Sequence, residues 1–582
     1  MSSQTSHSAN VSTEAAVPTQ SSVSAEVAAL GLAAAAALPP LLAYNQTPAA
    51  TLYNQLLALA GWGLALILWA RATPGWLAAL KSPASIALAL LVVAPMSSVV
   101  WRDLPLSLGL GTTAIIGAGL AVLLVAQGLS REARLRAAEA LCWGLLAAGI
   151  FSVAISLVQV FAPDGADGGL IARSGIPGRA VGNLRQPNHL ASLMMWAAIA
   201  AVFVTEKRGW RLALPPLLFA FVFTVVMSAS RTGFIGIGML AVWGIVDRRL
   251  SRAARLSLLA TPLMLALSWW LMAQWSAESG HAFGAASRLS EGAGSPSRLA
   301  ILRDAWALTV ANPWLGVGWG EFNFAWSLSP FPTRPIAFFD HTHNLPSQLA
   351  VELGLPWAGA VLLLLGWAVW KAGSGALRAT DDAPLRRSAL MLVLAIALHS
   401  LLEYPLWYAY FLLPACFALG LALPADDAAK PAGIGPWPFV GALLMAGSAF
   451  ALWDYQRIVA IYAPSVEAVP LTQRIAIGQR SLFFSHQADY AAATSMPPGA
   501  DALAATRRTA FSLIDARLLM HWSRSLESTG DVNGARFIAD RLREFRNPTG
   551  DDWFATCKDA ASAPAMPQCQ PASGVIDWHT LR

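Results

Sequence analysis

Apolar segments long enough to cross a lipid bilayer recur along the first 455 residues of this 582-residue chain. A membrane-spanning helix needs about 20 consecutive apolar residues, within a range of about 17 to 25. The sequence predicts about thirteen such helices. They cover residues 27–44, 52–70, 84–100, 107–129, 138–162, 190–205, 212–229, 233–247, 257–275, 348–370, 388–402, 404–423 and 437–454. Only 12% of the residues are charged, whereas soluble domains have about 25%. The chain is therefore predicted to be an all-α polytopic membrane protein.

Positively charged residues lie in every second connector between these segments. Those connectors contain Arg71 and Lys81; Arg131, Arg134 and Arg136; Lys207, Arg208 and Arg211; Arg248, Arg249, Arg252 and Arg255; Lys371, Arg378, Arg386 and Arg387; and Lys430. The intervening connectors are poor in Lys and Arg wherever they are short. Because positively charged connectors remain in the cytoplasm, this alternation predicts a multi-pass inner-membrane protein with a cytoplasmic N-terminus and a periplasmic C-terminus.

The chain divides into three predicted regions. Residues 1–24 are polar, Ser/Thr-rich and free of Lys and Arg, which predicts a disordered cytoplasmic leader rather than a cleaved signal peptide. Residues 25–455 form the predicted transmembrane domain, and residues 456–582 form a charged, helical periplasmic domain. Two predicted periplasmic loops, at 164–189 and 277–347, are longer than connectors need to be. Loops of such length are usually functional.

The C-terminal region is predicted to contain a helical hairpin. One helix begins near Ala516, a turn contains Gly530, and the second helix ends before Asn547–Pro548. The pair resembles a single tetratricopeptide-like unit, and a generic helical cap remains the alternative. Cys557 and Cys569 could form a disulfide that closes a short loop if this region is periplasmic.

The segment Asp340–Asn344 contains two histidines at the point where the second long loop re-enters the membrane. A histidine there could accept a proton from a hydroxyl, because its unperturbed pKa lies near the working pH. His341 and His343 could alternatively bind a metal, but no further cysteine or acidic cluster completes a ligand set. A third possibility is that a histidine caps the helix that follows.

Several arginines lie in or beside the predicted outward loops. They are Arg185, Arg231, Arg288, Arg298 and Arg303. Guanidinium groups bind phosphate oxygens in a bidentate manner and stay charged when partly desolvated. Each arginine alone could be solvated or could cap a helix. As a group, they predict a binding site for an anion such as a diphosphate headgroup.

Four ionisable residues lie within or at the edges of predicted spans: Glu352, His399, Glu403 and Tyr404. Ionisable groups at membrane depth are costly, and they are therefore candidates for a functional role. Tyr404, which precedes a proline, could equally be an aromatic anchor at the membrane interface.

Three motifs resemble those of the O-antigen ligase and polymerase superfamily. Residues 297–320, which include Asn312–Gly320, resemble its loop motif, and Ser230–Gly233 matches its short arginine turn. His343–Asn344, nine residues and then Gly354 match a third motif, although Trp357 departs from the residue types usual at its last position. Within this superfamily, Gly182–Ala191 resembles a segment of bacterial protein O-oligosaccharyltransferases of the PglL type.

The resemblance implies a fold of many membrane helices and a donor oligosaccharide linked to undecaprenyl diphosphate. It implies transfer of the oligosaccharide to a Ser or Thr hydroxyl of a periplasmic or pilin-like protein, without a nucleotide, a metal or another cofactor. His343 would be the catalytic residue that deprotonates or orients the hydroxyl. The diphosphate would be bound by Arg231, Arg298, Arg288 and Arg185. The residues in contact with sugar or acceptor would be Gln186, Asn188, His189, Asn344 and Tyr404.

Two other classes of function remain open. The same chemistry could use lipid A core as acceptor, as in an O-antigen ligase, or a growing glycan, as in a polymerase.

A transporter or flippase would also have many spans. However, the sequence shows no inverted repeat of broken helices and no chain of carboxylates at mid-membrane depth. The positive charges are scattered between apolar segments, which argues against a nucleic-acid partner.

Overall fold

The computed structural model describes residues 20–286, 296–378, 382–424, 433–512, 514–559 and 563–582. These residues form helices joined by loops and short 3-10 turns, and no strand occurs among them. The first helix begins at Gln20, so the last residues of the predicted 1–24 leader are helical. Residues 1–19 of that leader lie outside the described ranges.

The helices of the membrane region and its loops follow one another in a single bundle. They are α1 (Gln20–Leu41), α2 (Leu52–Trp69), α3 (Trp76–Ala79), α4 (Pro83–Trp101), α5 (Leu106–Gly128), α6 (Arg131–Phe161), α7 (Pro187–Arg208), α8 (Leu214–Ser228), α9 (Arg231–Val246), α10 (Arg252–Leu259), α11 (Thr261–Ser279), α12 (Pro296–Ala311), α13 (Phe322–Leu328), α14 (Leu345–Ala376), α15 (Ala383–Ser400), α16 (Ala409–Ala422) and α17 (Trp437–Tyr462). Serine hydroxyls cap several N-termini by accepting a backbone N–H, as Ser130 does for α6 and Ser251 does for α10.

Each of the thirteen predicted segments overlaps a helix, but the segment 257–275 crosses the break between α10 and α11, and the count of thirteen spans is not confirmed. Within the described ranges, nine helices are long and apolar enough to cross a membrane, or up to ten if the bent pair α10–α11, with its 42° break, is one span. Two predicted spans are short, since α9 has 16 residues and α16 has 14. At about 1.5 Å per residue, α16 covers about 21 Å, less than the roughly 30 Å of a hydrocarbon core. The chain is an all-α, multi-pass membrane protein.

Helix α7 lies at the centre of the bundle, where 94% of its most apolar 18-residue window is buried. It packs against α6, α8, α9 and α15. The indole Nε1 of Trp196 donates to the Leu392 carbonyl at 2.9 Å, which ties α7 to α15. The N-terminus of α7 is therefore held in a fixed position at one end of the bundle. We call this end, where the first long loop joins α6 to α7, the loop end.

The basic connectors contact one another at the opposite end. The contacting residues are Glu139 with Lys207 and Arg208, Glu206 with Ser251, Asp247 with Arg387, Arg249 with Leu377, and Arg134 with Leu421. Helix α6 begins at Arg131 among them and ends at Phe161, so the loop after Phe161 lies at the loop end. The second long loop meets the first there, because the backbone N–H of Gly284 donates to the Gly178 carbonyl at 3.3 Å.

The C-terminal region consists of short helices after α17. They are α18 (Leu471–Gly478), α19 (Ser485–Ser495), α20 (Ala500–Thr509), α21 (Ala516–Ser528), α22 (Val532–Phe545) and α23 (Asp551–Ala555). The predicted hairpin is confirmed, with α21 and α22 joined by a turn in which Gly530 has a φ of 92°. Cys557 and Cys569 form the disulfide that the sequence left open.

This C-terminal region and the second long loop share one hydrophobic core. Phe324 of α13 stacks on Phe511 at 4.9 Å, and Trp326 meets Phe545 edge to face at 5.4 Å. The fully buried Arg334 lies 4.4 Å from the ring of Phe545 and pairs with Glu544 at 3.1 Å. The loop that carries the candidate site is thus shaped by residues from the end of the chain.

Candidate active site

A cavity of about 170 Å³ lies at the loop end, where residues from distant parts of the chain converge. Its walls are formed by Asn188, Ala229, Arg231, Thr232, Arg298, Phe339 and His343. Four of these seven residues are site residues predicted from the sequence. They come from the starts of α7, α9 and α12 and from the residue just before the cap of α14.

Glu403 connects the polar residues of this cavity. Its Oε2 lies 2.5 Å from Nδ1 of His343, its Oε1 accepts from Nδ2 of Asn188 at 2.9 Å, and the same oxygen pairs with the Arg298 guanidinium. The side chain of Glu403 is only 7% exposed. Burial acts to raise the pKa of Glu403, but the hydrogen bond from His343 and the charges of His343 and Arg298 outweigh it and hold the pKa below its ordinary value.

The ionised Glu403 carboxylate determines which nitrogen of His343 carries a proton. A carboxylate can only accept hydrogen bonds, so Nδ1 of His343 must be the donor in this pair. In the neutral ring the lone pair then lies on Nε2. Because His343 lines the cavity, this arrangement can accept a proton from a hydroxyl and stabilise the resulting imidazolium with the adjacent carboxylate.

The backbone around His343 is held in an uncommon conformation. His343 has a φ of 56°, in the left-handed region that non-glycine residues rarely occupy. Asn344 caps α14, since its Oδ1 accepts from the Ser347 N–H at 3.0 Å and its Nδ2 donates to the Leu401 carbonyl at 3.0 Å. Strained backbone of this kind is concentrated at functional sites, where surrounding contacts maintain it.

Helix α14 is broken at Gly354, and the break explains the spacing of the His343–Asn344 motif. Gly354 has a φ of 75°, and a Cβ there would lie 2.4 Å from the Trp314 carbonyl oxygen. The loop 313–318 runs along the break, where Leu355 N donates to Pro313 O and Val317 N donates to Val351 O, both at 2.8 Å. The first part of α14, which carries His343 at its start, is therefore positioned by the loop rather than by the rest of the helix.

Glu352 is a buried residue in the first part of α14, and its carboxylate connects that part to neighbouring elements by hydrogen bonds. Its Oε1 accepts from Nε2 of Gln348 at 2.9 Å and from the Phe322 N–H at 3.4 Å. The amide oxygen of Gln348 in turn accepts from the backbone N–H of Thr342 at 2.7 Å. This chain of hydrogen bonds connects the residue before His343 to α13, so Glu352 has a positioning role.

The arginine turn at the start of α9 reaches the same network. Ser230 caps α9 by accepting from the Gly233 N–H at 3.2 Å, and its hydroxyl donates to Oδ1 of Asn188 at 2.7 Å. A Cβ at Gly233 would lie 2.6 Å from a Val225 methyl, which explains the glycine of this motif. Arg231, the next residue after the cap, lines the cavity.

Tyr404 lies beside both histidines. Its ring stacks on His341 at 4.2 Å and meets His343 edge to face at 5.1 Å. Burial, with the nearby charge of Asp340 as a second cause, raises the pKa of Tyr404 above its ordinary value, so the phenol keeps its proton. Tyr404 therefore adjoins the catalytic candidate, and its predicted contact with sugar or acceptor stays a prediction.

Other predicted residues lie away from the cavity walls. Gln186 caps α7 by accepting from the His189 N–H at 2.8 Å, and His189 is buried with Nδ1 3.1 Å from the Tyr410 hydroxyl. Arg185 bonds Oδ1 of Asn45 at 2.9 Å and the Ala43 carbonyl, so it binds the α1–α2 connector. Arg288 lies outside the described residues.

The sequence did not reveal the central position of Glu403. Its place at the end of a span made it a candidate, but nothing near it in the sequence indicates that its partners are Asn188, Arg298 and His343. Phe339, which meets His343 edge to face at 5.2 Å, also had no sequence signal. Within the described part of the chain, no group of three or more His, Cys, Asp or Glu residues could hold a metal ion.

Three protein-family models match separate parts of the chain. A model described as protein glycosylation ligase matches residues 180–203, one described as O-antigen ligase matches residues 216–364, and one described as the C-terminal part of a virulence factor membrane-bound polymerase matches residues 388–551. The first match contains Asn188, the second contains Arg231, Arg298 and His343, and the third contains Glu403.

Two proteins of Acinetobacter baylyi are similar to this chain. A general O-oligosaccharyltransferase is 27% identical over 255 residues, which are 42% of this chain and 43% of that protein. A ComP-specific O-oligosaccharyltransferase is 24% identical over 256 residues, which are 42% of this chain and 44% of that protein. The chain thus spans less than half the length of these relatives. By these matches, the chain is similar to PglL-type protein O-oligosaccharyltransferases of the O-antigen ligase superfamily.

Proposed function

We propose that this protein transfers an oligosaccharide en bloc from undecaprenyl diphosphate to Ser or Thr hydroxyls of periplasmic proteins. The observation that supports this most directly is the cavity in which His343, paired with Glu403, lies beside Arg231 and Arg298. A base and two guanidinium groups are the parts needed to activate a hydroxyl and to stabilise a leaving diphosphate. The similarity to two O-oligosaccharyltransferases supports the same reaction.

The reaction requires one bond to form and one to break. The acceptor oxygen attacks the anomeric carbon, and the bond from that carbon to the diphosphate oxygen breaks with its electron pair remaining on the diphosphate. Nε2 of His343 accepts the hydroxyl proton, and Glu403 stabilises the imidazolium. Arg231 and Arg298 bind the diphosphate as its charge grows.

The remaining predicted residues have supporting roles in this proposal. Asn188 and Asn344 hold the backbone and side chains around His343, and Tyr404 packs against its ring. Gln186 and His189 order the start of α7, which carries Asn188. Arg185 and Arg288 are retained as additional candidates for the diphosphate, although the described contacts of Arg185 are with the α1–α2 connector.

The proposed reaction takes place on the periplasmic face of the bacterial inner membrane. The grouping of the basic connectors at the end opposite to the cavity supports a cytoplasmic position for those connectors. The Cys557–Cys569 disulfide supports a periplasmic position for residues 456–582, because disulfides persist in oxidising compartments. This topology places the cavity beside the outer-leaflet headgroups, with the prediction of about thirteen spans retained.

A second candidate function is transfer to lipid A core or to a growing glycan. It is favoured by the ligase and polymerase family models that match residues 216–364 and 388–551. The donor chemistry at the cavity would be the same, and only the acceptor would differ. The match of residues 180–203 to a protein glycosylation ligase favours a protein acceptor.

A single assay separates these candidates. The purified full chain is supplied with an undecaprenyl-diphosphate oligosaccharide and offered a pilin-like protein and lipid A core in parallel reactions. We expect the pilin-like protein to be modified, and we expect His343→Ala to modify neither acceptor. His521→Ala, a histidine change in the C-terminal region, is the matched control and should act at the wild-type rate. Modification of lipid A core alone would replace the first proposal with the second, and full activity of His343→Ala would contradict both.

A further inference from the structure

A second and larger cavity lies at the loop end. Its volume is about 350 Å³, which falls within the range of about 300 to 1,000 Å³ typical of small-molecule sites. The end of α6, the first long loop and the end of α11 form its walls. The lining residues are Gln159, Val160, Pro163, Ala166, Arg173, Ser174, Ile176, Pro177, Gly178, Trp275, His281 and Ala282.

One short segment of backbone connects the walls of the two cavities. Gly178 lines the larger cavity, and the next residue, Arg179, donates from Nε to the Ser228 carbonyl at 3.0 Å and from Nη2 to the Ala229 carbonyl at 3.5 Å. Ala229 lines the cavity that contains His343. A ligand that reacts at the smaller cavity and extends past this segment would therefore reach the larger one.

The larger cavity is closed on one side by tight backbone packing. Gly178 has a φ of 68°, and a Cβ there would lie 2.1 Å from the Ala282 carbonyl oxygen. A Cβ at Gly284 would lie 2.3 Å from Cγ of Arg179. These close approaches fix the first long loop against the chain after α11, so the cavity exists before any ligand binds.

Two aromatic rings, those of Trp275 and His281, line the larger cavity. Trp275 meets Phe161 edge to face at 4.7 Å, and the ring of His281 stacks on Trp275 at 5.3 Å. A sugar ring presents flat C–H faces, which pack well against aromatic rings. Such rings are large, rigid and partly polar surfaces.

The rim of this cavity supplies hydrogen-bond donors and no acid. Nε of Arg173 donates to the Ala166 carbonyl at 3.1 Å, and its other guanidinium nitrogens bond no residue within the described ranges. The lining residues include no Asp or Glu. The amide of Gln159 is fully used, because its Nε2 donates to the Ala172 and Gly182 carbonyls and its Oε1 accepts from the Val181 and Gly182 N–H groups, so it shapes the cavity. A neutral ring with hydroxyls at its edge fits this combination.

We propose that the larger cavity binds a sugar unit of the donor oligosaccharide that lies beyond the anomeric carbon attacked in the smaller cavity. This inference rests on the proposed function and names the part of the donor that a second site recognises. It implies that donors with a longer glycan bind more tightly than donors with one sugar, because only the longer glycan reaches Trp275 and Arg173.

The test compares two donors and two pairs of variants. Wild type, Trp275→Ala and Arg173→Ala are assayed with undecaprenyl diphosphate that carries either one sugar or the whole oligosaccharide. Trp270→Ala, a change at an exposed position of the same helix, and Arg507→Ala, a change at an exposed position of α20, are the matched controls. We expect both cavity variants to raise KM for the oligosaccharide donor about tenfold and to leave kcat/KM for the one-sugar donor unchanged.

The possible outcomes lead to different conclusions. A KM that is unchanged, or a loss that is equal for both donors, would overturn the second site and leave the proposed function standing. A wild-type protein that transfers from neither donor would overturn the proposed function itself. Saturation-transfer NMR with the released oligosaccharide gives an independent reading. Contact with a sugar other than the reducing one, lost in Arg173→Ala and kept in Arg507→Ala, supports the site, and its absence in wild type counts against it.

Discussion

Nδ1 of His343 lies 2.5 Å from the carboxylate of Glu403, a residue that also holds Asn188 and Arg298. The carboxylate therefore does two things at once. It sets the protonation pattern of the histidine ring, and it fixes one guanidinium beside that ring. In this arrangement, the orientation of the proposed base and the placement of a proposed diphosphate-binding group depend on the same buried side chain.

Glu403→Gln removes the negative charge of this side chain but keeps its size and shape. The amide fills nearly the same volume but cannot stabilise an imidazolium, and its NH₂ group competes for the histidine nitrogen. We expect kcat for glycan transfer to fall by about 100-fold or more, the range in which a positioned base contributes. Glu403→Asp, which keeps the charge on a shorter side chain, should retain more activity than Glu403→Gln. A wild-type rate in Glu403→Gln would show that His343 does not need this partner.

The lowered pKa of Glu403 predicts how stability depends on pH. A carboxylate whose pKa in the folded state is below its ordinary value of 4.5 stabilises the fold above that value, and the contribution is lost as pH falls through the lowered pKa. The difference in melting temperature between wild type and Glu403→Gln should therefore be present at neutral pH and shrink as pH falls below 4.5. Thermal unfolding in detergent at a series of pH values measures it. If the difference in melting temperature instead grew as pH fell, the ionised Glu403 carboxylate could not be what stabilises the fold.

Gly354 provides a prediction about the break in α14. With a φ of 75° and the Trp314 carbonyl oxygen 2.4 Å from the position of a Cβ, an alanine cannot be accommodated without moving the loop. We expect Gly354→Ala to lose activity and to lower the free energy of unfolding by about 2 kcal/mol or more. Gly359→Ala is the matched control on the same helix, because nothing lies within 4 Å of a Cβ there. Equal behaviour of the two variants in transfer and unfolding assays would show that the break is unimportant.

Arg582 provides a test of how the C-terminal region supports the loop. Its guanidinium pairs with the fully buried Glu321, just before α13, and burial raises the pKa of Glu321 to about 8 even though Arg582 and Arg102 lower it. Because burial raises the folded-state pKa of Glu321, the free energy of unfolding falls as pH rises from the ordinary pKa of 4.5 towards 8. Without Arg582 the folded-state pKa of Glu321 would lie higher still, so the free energy of unfolding would keep falling to a higher pH. Arg582→Ala should therefore lose more stability at pH 9 than at pH 6, by up to about 3 kcal/mol.

The double variant Glu321→Gln with Arg582→Met is the control for this ion pair. It removes both charges and should recover most of the stability that Arg582→Ala loses, because no unpaired carboxylate remains buried. The measurement is the melting temperature of wild type, of Arg582→Ala and of the double variant at pH 6 and at pH 9. A loss in Arg582→Ala that is independent of pH, and that the double variant does not reduce, would point to lost packing instead of charge.

The proposed topology can be measured by labelling single cysteines with a membrane-impermeant maleimide. Val466 is fully exposed in the C-terminal region, Trp314 is 75% exposed in the second long loop, and Trp210 is 54% exposed in a basic connector. We expect Val466→Cys and Trp314→Cys to react in spheroplasts and Trp210→Cys to react only after the membrane is permeabilised. The reverse pattern would place the cavity in the cytoplasm, where no exported glycan carrier could reach it.

The sequence predicted the helical class and named four of the seven residues that line the cavity, because both depend on local patterns. The apolar segments mark the helices, and the motifs around Asn188, Arg231, Arg298 and His343 mark residues that converge. Helix capping could also have been predicted, since Gln186 and Asn344 each precede a helix with a proline in its first turn. The role predicted for both side chains is contact with sugar or acceptor, and that stays a prediction.

The contacts of Glu403 and the number of spans could not be predicted in the same way. The partners of Glu403 lie 60 to 215 residues away in the sequence, and no local pattern encodes a contact over that distance. Hydropathy also does not show where an apolar segment bends or stops short of a full crossing, as at the α10–α11 break and at α16. These features depend on how the helices pack.

The distance between His343 and Glu403 along the chain has a consequence for biosynthesis. A ribosome makes the protein from its N-terminus, so the histidine is translated before its carboxylate partner, which lies 60 residues later. Until α15 has been inserted and Glu403 has emerged, the half-formed protein cannot orient the base. If the proposed function holds, a truncated chain that ends before Glu403 would therefore leave lipid-linked glycans unconsumed.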